Sequence, residues 1–164
     1  MAKLSKLFEP IKIGKMELKN RIVMPAMCSK LPTEFGAVTE RFIDFYVERA
    51  KGGVGLIVIE NTCIDWPAGK AGTNPIRADN WKYISSLHDL ATAVQPYGTK
   101  IATQLHHTGR QNSVAVSTDG EELVAPSAIP CLPTGGDMPR PLTIPEIDVI
   151  IGKYVQGAAV TKMA

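Results

Sequence analysis

The sequence predicts an α/β fold with a parallel sheet, and three observations support this. Segments of strand length alternate with segments of helical periodicity in the order β-α-β-α-β-α. The segment 54–60 is continuously apolar up to its last residue, as in parallel strands covered on both faces. A short hairpin pattern precedes the first unit. Such alternation favours right-handed crossovers and fits either an open doubly wound sheet or part of a barrel.

The first elements are predicted from turn and capping residues. Apolar residues alternate around Gly14-Lys15, a pair that suits a hairpin turn with glycine first. A strand over 21–24 should stop at Pro25. Thr39 can cap a helix that runs to Lys51, and Gly52-Gly53 ends it. The hairpin residues are Ile11, Ile13, Met16 and Leu18.

The second half continues the alternation. Asp79 is expected to cap a helix that ends near Gly98, and a third strand covers 100–105. A long loop, 106–142, follows. Thr143 and Glu146 form a capping box at the start of the last predicted helix. The apolar face of the middle helix is Ile84, Leu87, Leu90, Ala91 and Val94, and the last helix has a predicted buried stripe of Ile147, Ile150, Ile151, Tyr154, Val155 and Ala158.

Composition excludes several classes of protein. The chain has 164 residues, 45% of them hydrophobic and 21% charged, which is typical of one globular domain. A net charge of +2 is too small to predict binding to nucleic acid or to an acidic membrane. No apolar run approaches the ~20 residues that a membrane helix needs. The three cysteines are too widely spaced for a metal knuckle or a disulfide framework, so we expect reduced thiols, no metal site and a cytoplasmic location.

Candidate functional residues follow the ends of the predicted strands, where parallel α/β folds place their working groups. No G-x-G-x-x-G or P-loop motif follows any strand, which weakens the nucleotide-binding open-sheet alternatives. The candidates are Cys28 after the first strand, Glu60 and Asn61 after the second, and Gln104, His107 and Arg110 after the third.

Each candidate has two interpretations from the residues alone. The Gln104 carboxamide can bind a ring that presents adjacent N–H and C=O groups, or a loop backbone. Cys28 is either a thiol beside a cofactor or a small buried hydrophobe. Glu60 is either a paired buried carboxylate or a pocket contact. Arg110 neutralises an anion or ties down the long loop. His107 is adjacent to another histidine, so the two should face opposite ways and one should be structural.

Several motifs, taken in order, resemble the Old Yellow Enzyme family of FMN-containing ene-reductases. The resemblance runs from about residue 7 to the chain end, and its subgroup is similar to bacterial NADH:flavin oxidoreductases related to dienoyl-CoA reductase. The motifs are Leu7-Phe8-Glu9-Pro10, Leu18-Lys19-Asn20-Arg21-Ile22-Val23-Met24-Pro25-Ala26-Met27, Phe45-Tyr46-Val47-Glu48-Arg49-Ala50, Gly53-Val54-Gly55-Leu56-Ile57, Gln104-Leu105-His106-His107-Thr108-Gly109-Arg110 and Ala125-Pro126-Ser127-Ala128.

The resemblance implies a flavin site on the strand-end rim. It implies that backbone groups of Pro25, Ala26 and Met27 hold the ring and that Gln104 meets its pyrimidine edge. The Glu60-Asn61 region would lie beside the ring. Cys28 would stand near the reactive flavin edge, where thiol-bearing relatives use a cysteine to tune the potential. NAD(P)H would reduce FMN, which would then reduce a small-molecule substrate with an activated alkene, such as an α,β-unsaturated carbonyl compound or an enoyl or dienoyl thioester.

The resemblance also implies that residues 1–164 are the amino-terminal portion of a single FMN-binding (β/α)₈ barrel, with three βα units after the hairpin. The expected catalytic pair, the phosphate site and any iron–sulfur cluster would then lie beyond residue 164. The open sheet edges would pair with a complementary chain or a second copy. Two alternatives are a non-catalytic assembly module that needs such a chain and a barrel enzyme of another chemistry, such as a phosphosugar isomerase.

Overall fold

A computed structural model of the chain describes residues 4–117 and 122–164 and gives the order of elements. Four short 3-10 turns join them, at Ser5–Phe8, Trp81–Tyr83, Gln95–Tyr97 and Leu132–Thr134. The strands are β1 (Ile11–Ile13), β2 (Met16–Leu18), β3 (Val23–Met24), β4 (Leu56–Cys63), β5 (Ile76–Arg77), β6 (Lys100–His106), β7 (Val124–Ala125) and β8 (Arg140–Pro141). The helices are α1 (Glu40–Lys51), α2 (Ile84–Val94), α3 (Val114–Ser117) and α4 (Ile144–Met163).

The hairpin and the first helix form as the sequence predicts. β1 and β2 pair antiparallel across Gly14-Lys15, and Gly14 has a φ of +58°, a conformation that glycine adopts without strain. The Thr39 side chain accepts a hydrogen bond from the Phe42 amide and caps α1. The predicted first strand is shorter than expected, because only Val23 and Met24 pair with β4.

The start of the second helical segment corrects a prediction. Asn80, not Asp79, provides the cap, and its side chain accepts from the Lys82 amide at the start of a 3-10 turn that leads into α2. Asp79 instead accepts two hydrogen bonds from the Arg77 guanidinium, 2.8 and 2.7 Å long. Two parallel bonds between a guanidinium and a carboxylate are stronger than the single bond of a carboxylate cap to a backbone amide, which explains the choice. The helical segment, which is α2 followed by the 3-10 turn Gln95–Tyr97, ends at Gly98 in the left-handed conformation, as predicted.

The main sheet is parallel, with β4 at its centre. β3, β5 and β6 all pair with β4 in parallel. The helices cover one face of this sheet, where a continuous core joins α1, α2, β4 and the end of α4. Phe42 and Tyr46 of α1 and Leu90 of α2 are fully buried there. On the opposite face, near the end of β6, the Gln104 side chain is exposed.

The predicted buried stripe of α4 is wrong. Ile147 and Ile150 are half-buried, whereas Ile151, Tyr154, Val155 and Ala158 are exposed. The buried residues of α4 are Gly157 and Val160, because the helix meets the sheet near its carboxyl end, where Gly157 lets it approach Ile64. The capping box of Thr143 and Glu146 is present as predicted.

The segment 106–142 contains regular structure, which the prediction of an unbroken loop missed. β7 and β8 pair in parallel within it, and α3 and a 3-10 turn lie between His106 and Arg140. Across the described ranges, no helix is both long enough and apolar enough to cross a membrane.

Candidate functional site

The carboxyl ends of β3, β4 and β6 lie on one rim of the sheet because all three strands run in parallel. β3 pairs with the start of β4 through Val23 and Leu56. β6 follows β4 along its whole length to the pair of Cys63 and His106. The segments that follow these strands therefore meet at the rim, which was the predicted location of the site.

Asn61 and Gln104 lie side by side on the accessible face. They are register partners in β4 and β6, and paired residues of a sheet project from the same face. Ile101 and Leu105 of β6 pack against the helix-side core, so the alternation of the strand directs Gln104 away from the helices. In the part of the chain that the structure describes, neither carboxamide has a hydrogen-bond partner. Gln104 thus does not bind a loop backbone, and its donor and acceptor are free for a ligand.

A β-bulge produces this pairing. The register of β4 against β6 shifts between Ile59 and Asn61, so Glu60 is the extra residue. Bulges re-aim side chains near sites. Here the shift brings Asn61 opposite Gln104 and leaves Glu60 out of the ladder.

The segment from Pro25 to Cys28 passes the same rim in an open conformation. Pro25 ends the β3 ladder. Among the described residues, no partner accepts a hydrogen bond from the Ala26 or Met27 amide. Met27 is 50% exposed and the Cys28 thiol is free and exposed. The segment therefore offers backbone groups and a thiol at the end of β3.

Glu60 is fully buried and behaves unlike its neighbours. Its Oε2 accepts a 2.6 Å hydrogen bond from the Ser29 amide, and its backbone amide donates to the Tyr46 hydroxyl at 3.3 Å. Burial raises the pKa of the Glu60 carboxyl, against the opposing effect of the hydrogen bonds from Ser29. No cation pairs with Glu60 among the described residues. The interpretation of Glu60 as a paired buried carboxylate is therefore not observed. A group with no exposed surface also has no direct access to a ligand on the sheet face.

The adjacent histidines have different roles. His106 is the register partner of Cys63, and burial lowers the pKa of its imidazole. His107 lies just past β6, where its Nδ1 accepts from the Gly109 amide at 3.1 Å. Its Nε2 lies 3.5 Å from a carboxylate oxygen of Asp65. His107 is therefore held by the loops after β4 and β6.

Arg110 binds the long loop. Its guanidinium donates to the carbonyl oxygens of Ile129 and Pro130 at 3.3 and 3.4 Å. The residue is exposed. Of the two interpretations of Arg110, the observed geometry supports the one in which it ties down the long loop. A bound anion is not needed to explain its position.

Two groups at the rim escaped the sequence analysis. Lys153 of α4 contacts Asp65 at 2.6 Å, and the neighbouring His107 and Lys153 side chains keep the pKa of the Asp65 carboxyl below its usual value despite burial. Arg77 lies over the Trp66 ring, 4.3 Å from its centroid. No sequence spacing joins these residues, because they come from separate loops and helices. The one sequence signal for Asp65 is that an acidic residue stands just past a largely apolar strand.

Comparisons with known proteins identify relatives of the chain. The chain is 48% identical over 158 residues to an NADH oxidase of Thermoanaerobacter brockii, covering 96% of the chain and 24% of that protein. The old yellow enzyme homologue from Zymomonas mobilis superimposes with a TM-score of 0.84 at 27% identity, over 96% of the chain and 45% of its own. Morphinone reductase superimposes with a TM-score of 0.87 at 28% identity, over 95% of the chain and 44% of its own.

The chain spans less than half the length of each of these relatives. The likeness to Old Yellow Enzyme structures over this part confirms the predicted partial barrel. The family uses FMN and NAD(P)H. Its model matches residues 6–164, and the chain therefore belongs to the NADH:flavin oxidoreductase / NADH oxidase family.

Proposed function

We propose that the whole protein is an NAD(P)H-dependent FMN oxidoreductase that reduces an activated alkene, and that residues 1–164 supply one wall of its flavin site as the amino-terminal portion of a single barrel domain. The observation that carries this proposal is the pair of carboxamides, Asn61 and Gln104, which have no hydrogen-bond partner among the described residues and lie on the accessible sheet face. The Pro25–Cys28 segment follows β3 at the same rim.

The fit to a flavin follows from the chemistry of these groups. An isoalloxazine ring presents adjacent N–H and C=O groups at its pyrimidine edge, and the Gln104 carboxamide donates and accepts at once. Asn61 would lie beside the ring. The free amides of Ala26 and Met27 are donors for ring acceptors, and Pro25 contributes an apolar edge. The exposed Cys28 thiol would face the reactive edge of the flavin.

Bound FMN would supply the redox chemistry, by which hydride from NAD(P)H reaches an α,β-unsaturated carbonyl compound or an enoyl or dienoyl thioester. The residues of this chain would bind and orient the ring and determine the polarity of its surroundings. The names of the NADH oxidase and morphinone reductase relatives support a nicotinamide donor and an organic acceptor. The groups that grip the substrate carbonyl and the flavin phosphate, and any iron–sulfur cluster, would come from sequence beyond residue 164.

The free edge of β6 supports a proposal about assembly. Among the described strands, β6 pairs only with β4, and an open strand edge with a hydrogen-bonding backbone invites another strand. We propose that the next strand of the same barrel pairs here; a complementary chain or a second copy is the alternative, and a chain that acts only through this edge would be a non-catalytic assembly module. Free Cys28, Cys63 and Cys131 support a reducing, cytoplasmic location.

Anaerobic spectroscopy of the full-length protein tests the function. NADH or NADPH should bleach the flavin absorbance near-stoichiometrically, and an α,β-unsaturated ketone should restore it, whereas the matched saturated ketone should not. Restoration by oxygen alone would leave an oxidase without alkene chemistry and would contradict the proposal. Absence of bound flavin would contradict it more broadly.

A further inference from the structure

The environment of Glu60 is unusual for an acidic residue. Its side chain is completely buried, and in the described part of the chain its Oε1 has no hydrogen-bond partner. Burying a carboxyl group without a cation is costly, and burial raises the pKa of this carboxyl. A buried acid at a bulge therefore requires a role that a hydrophobic residue would not serve.

The contact that Glu60 makes supplies that role. Its Oε2 accepts from the Ser29 amide at 2.6 Å, a bond that crosses from the end of β4 to the segment after β3. Ser29 directly follows Cys28. The next residue, Lys30, has a φ of +58°, which is uncommon outside glycine and asparagine. The turn that presents the thiol therefore adopts an unfavourable backbone and depends on outside contacts to keep it.

Further contacts hold the far side of the same turn. The Leu31 amide donates to the Ser29 hydroxyl at 3.2 Å, and the Thr39 hydroxyl donates to the Leu31 carbonyl at 2.8 Å. These bonds lie within the segment that leads to α1. The Glu60–Ser29 bond is the one of these hydrogen bonds that joins the turn to the sheet, and Asn61, beside Glu60, faces Gln104.

We propose that Glu60 is a positioning residue that fixes Cys28 at the flavin edge through its bond to the Ser29 amide, without touching the flavin itself. This inference rests on the proposed function for the identity of the ligand. The geometry of the turn is independent of that proposal. It also refines the expectation that Glu60 contacts the cofactor directly.

The first test uses hydrogen exchange in the full-length protein, with no demand on flavin binding. Glu60→Met removes the acceptor and keeps most of the volume, whereas Glu60→Gln keeps a carbonyl oxygen in the same place. Exchange of the Ser29 amide should accelerate by at least about tenfold in Glu60→Met, since a buried hydrogen bond is lost, and should stay close to wild type in Glu60→Gln. Unchanged exchange in Glu60→Met would overturn the positioning role.

The second test is a double-mutant cycle on the midpoint potential of the bound flavin. Glu60→Met should shift this potential in the wild-type background and leave it unchanged in the Cys28→Ala background, because the two residues act through one turn. Glu60→Gln, which keeps the acceptor for the Ser29 amide, should shift the potential less than Glu60→Met. Equal shifts with and without Cys28, or equal shifts in Glu60→Gln and Glu60→Met, would contradict the proposal. A protein that takes up no FMN would fail the proposed function, while the exchange measurement still decides the role of Glu60.

Discussion

Asn61 of β4 and Gln104 of β6 are direct register partners, because a β-bulge at Glu60 brings Asn61 onto the same open face of the sheet as Gln104. Without the bulge, the alternation of β4 would place Glu60 opposite Gln104. Because of the bulge, the Asn61 amide and not the Glu60 carboxyl lies opposite Gln104. The flavin site proposed for the protein depends on this arrangement.

Gln104→Ala in the full-length protein should lower the affinity for FMN by roughly tenfold, because about 1–1.5 kcal/mol is a usual net value for a hydrogen-bonding group of this kind. Fluorescence titration of the apoprotein with FMN measures the effect. Gln95→Ala is a matched control at an exposed position near the opposite end of β6. Equal affinities of the Gln104 and Gln95 variants would remove Gln104 from the site.

Two glycines of α4 should respond in opposite directions to alanine. A Cβ at Gly157 would meet Ile64 Cγ2 at 2.6 Å, whereas a Cβ at Gly152 meets nothing within 4 Å. Gly157→Ala should lower the free energy of unfolding by about 1–3 kcal/mol through overpacking. Gly152→Ala should raise it by about 0.5–1 kcal/mol through helix propensity. Chemical denaturation of the two variants checks both signs, and stabilisation by both would show that α4 does not pack on Ile64.

The Arg77–Asp79 pair should stabilise the loop that follows β4. The side chains of the pair are only 11% and 14% exposed and share two hydrogen bonds, and Arg77 also contacts the Trp66 and Tyr83 rings. Arg77→Ala should cost about 2–4 kcal/mol of stability, because it leaves a largely buried carboxylate unpaired. Arg41→Ala, at an exposed position of α1, should stay within about 0.5 kcal/mol of wild type. Comparable losses in the two variants, measured by urea unfolding, would contradict this account.

The start of α4 should weaken in acid. Hydrogen bonds from Arg140 and from Thr143 lower the pKa of the Glu146 carboxyl from 4.5 to about 2. Since the folded state has the lower pKa, the stabilisation is complete above pH 4.5 and disappears as the pH falls towards about 2.

Glu146→Gln isolates this contribution. The variant should be less stable than wild type at neutral pH, and the difference in thermal midpoint should close between pH 4.5 and about 2. Thr143→Ala should remove part of the same pH dependence, because the Thr143 hydroxyl also donates to Glu146. A difference that stays constant across this window would show that the carboxylate form is not preferred in the folded protein.

Much of the fold could be predicted because it depends on local signals. The caps at Thr39 and Thr143, the turn at Gly14 and the apolar run of β4 each act within a few residues. The cap of the second helical segment could not be predicted, because the choice between Asp79 and Asn80 depends on the contact of Asp79 with Arg77. The exposure of Ile151 and Val155 likewise depends on where α4 crosses the sheet, and no periodicity contains that information.

The site was predictable only in outline. Gln104 and Asn61 could be placed on one rim because parallel strands end together, but their pairing required the bulge at Glu60, which the sequence does not mark. The link from Glu60 to Ser29 joins residues 31 positions apart and is equally invisible in the sequence. The individual residues did not identify the ligand of the site. The resemblance of the motifs to a known family indicated that it is a flavin.

The central claim is that the strand-end rim of β3, β4 and β6 is one wall of a flavin pocket. A crystal structure of the full-length protein with FMN tests it most directly. The account predicts that the pyrimidine edge of the ring lies about 3 Å from the Gln104 carboxamide, with Pro25 and Ala26 along the ring and the Cys28 thiol at its reactive edge. A ring bound elsewhere, with Gln104 still facing solvent, would contradict it.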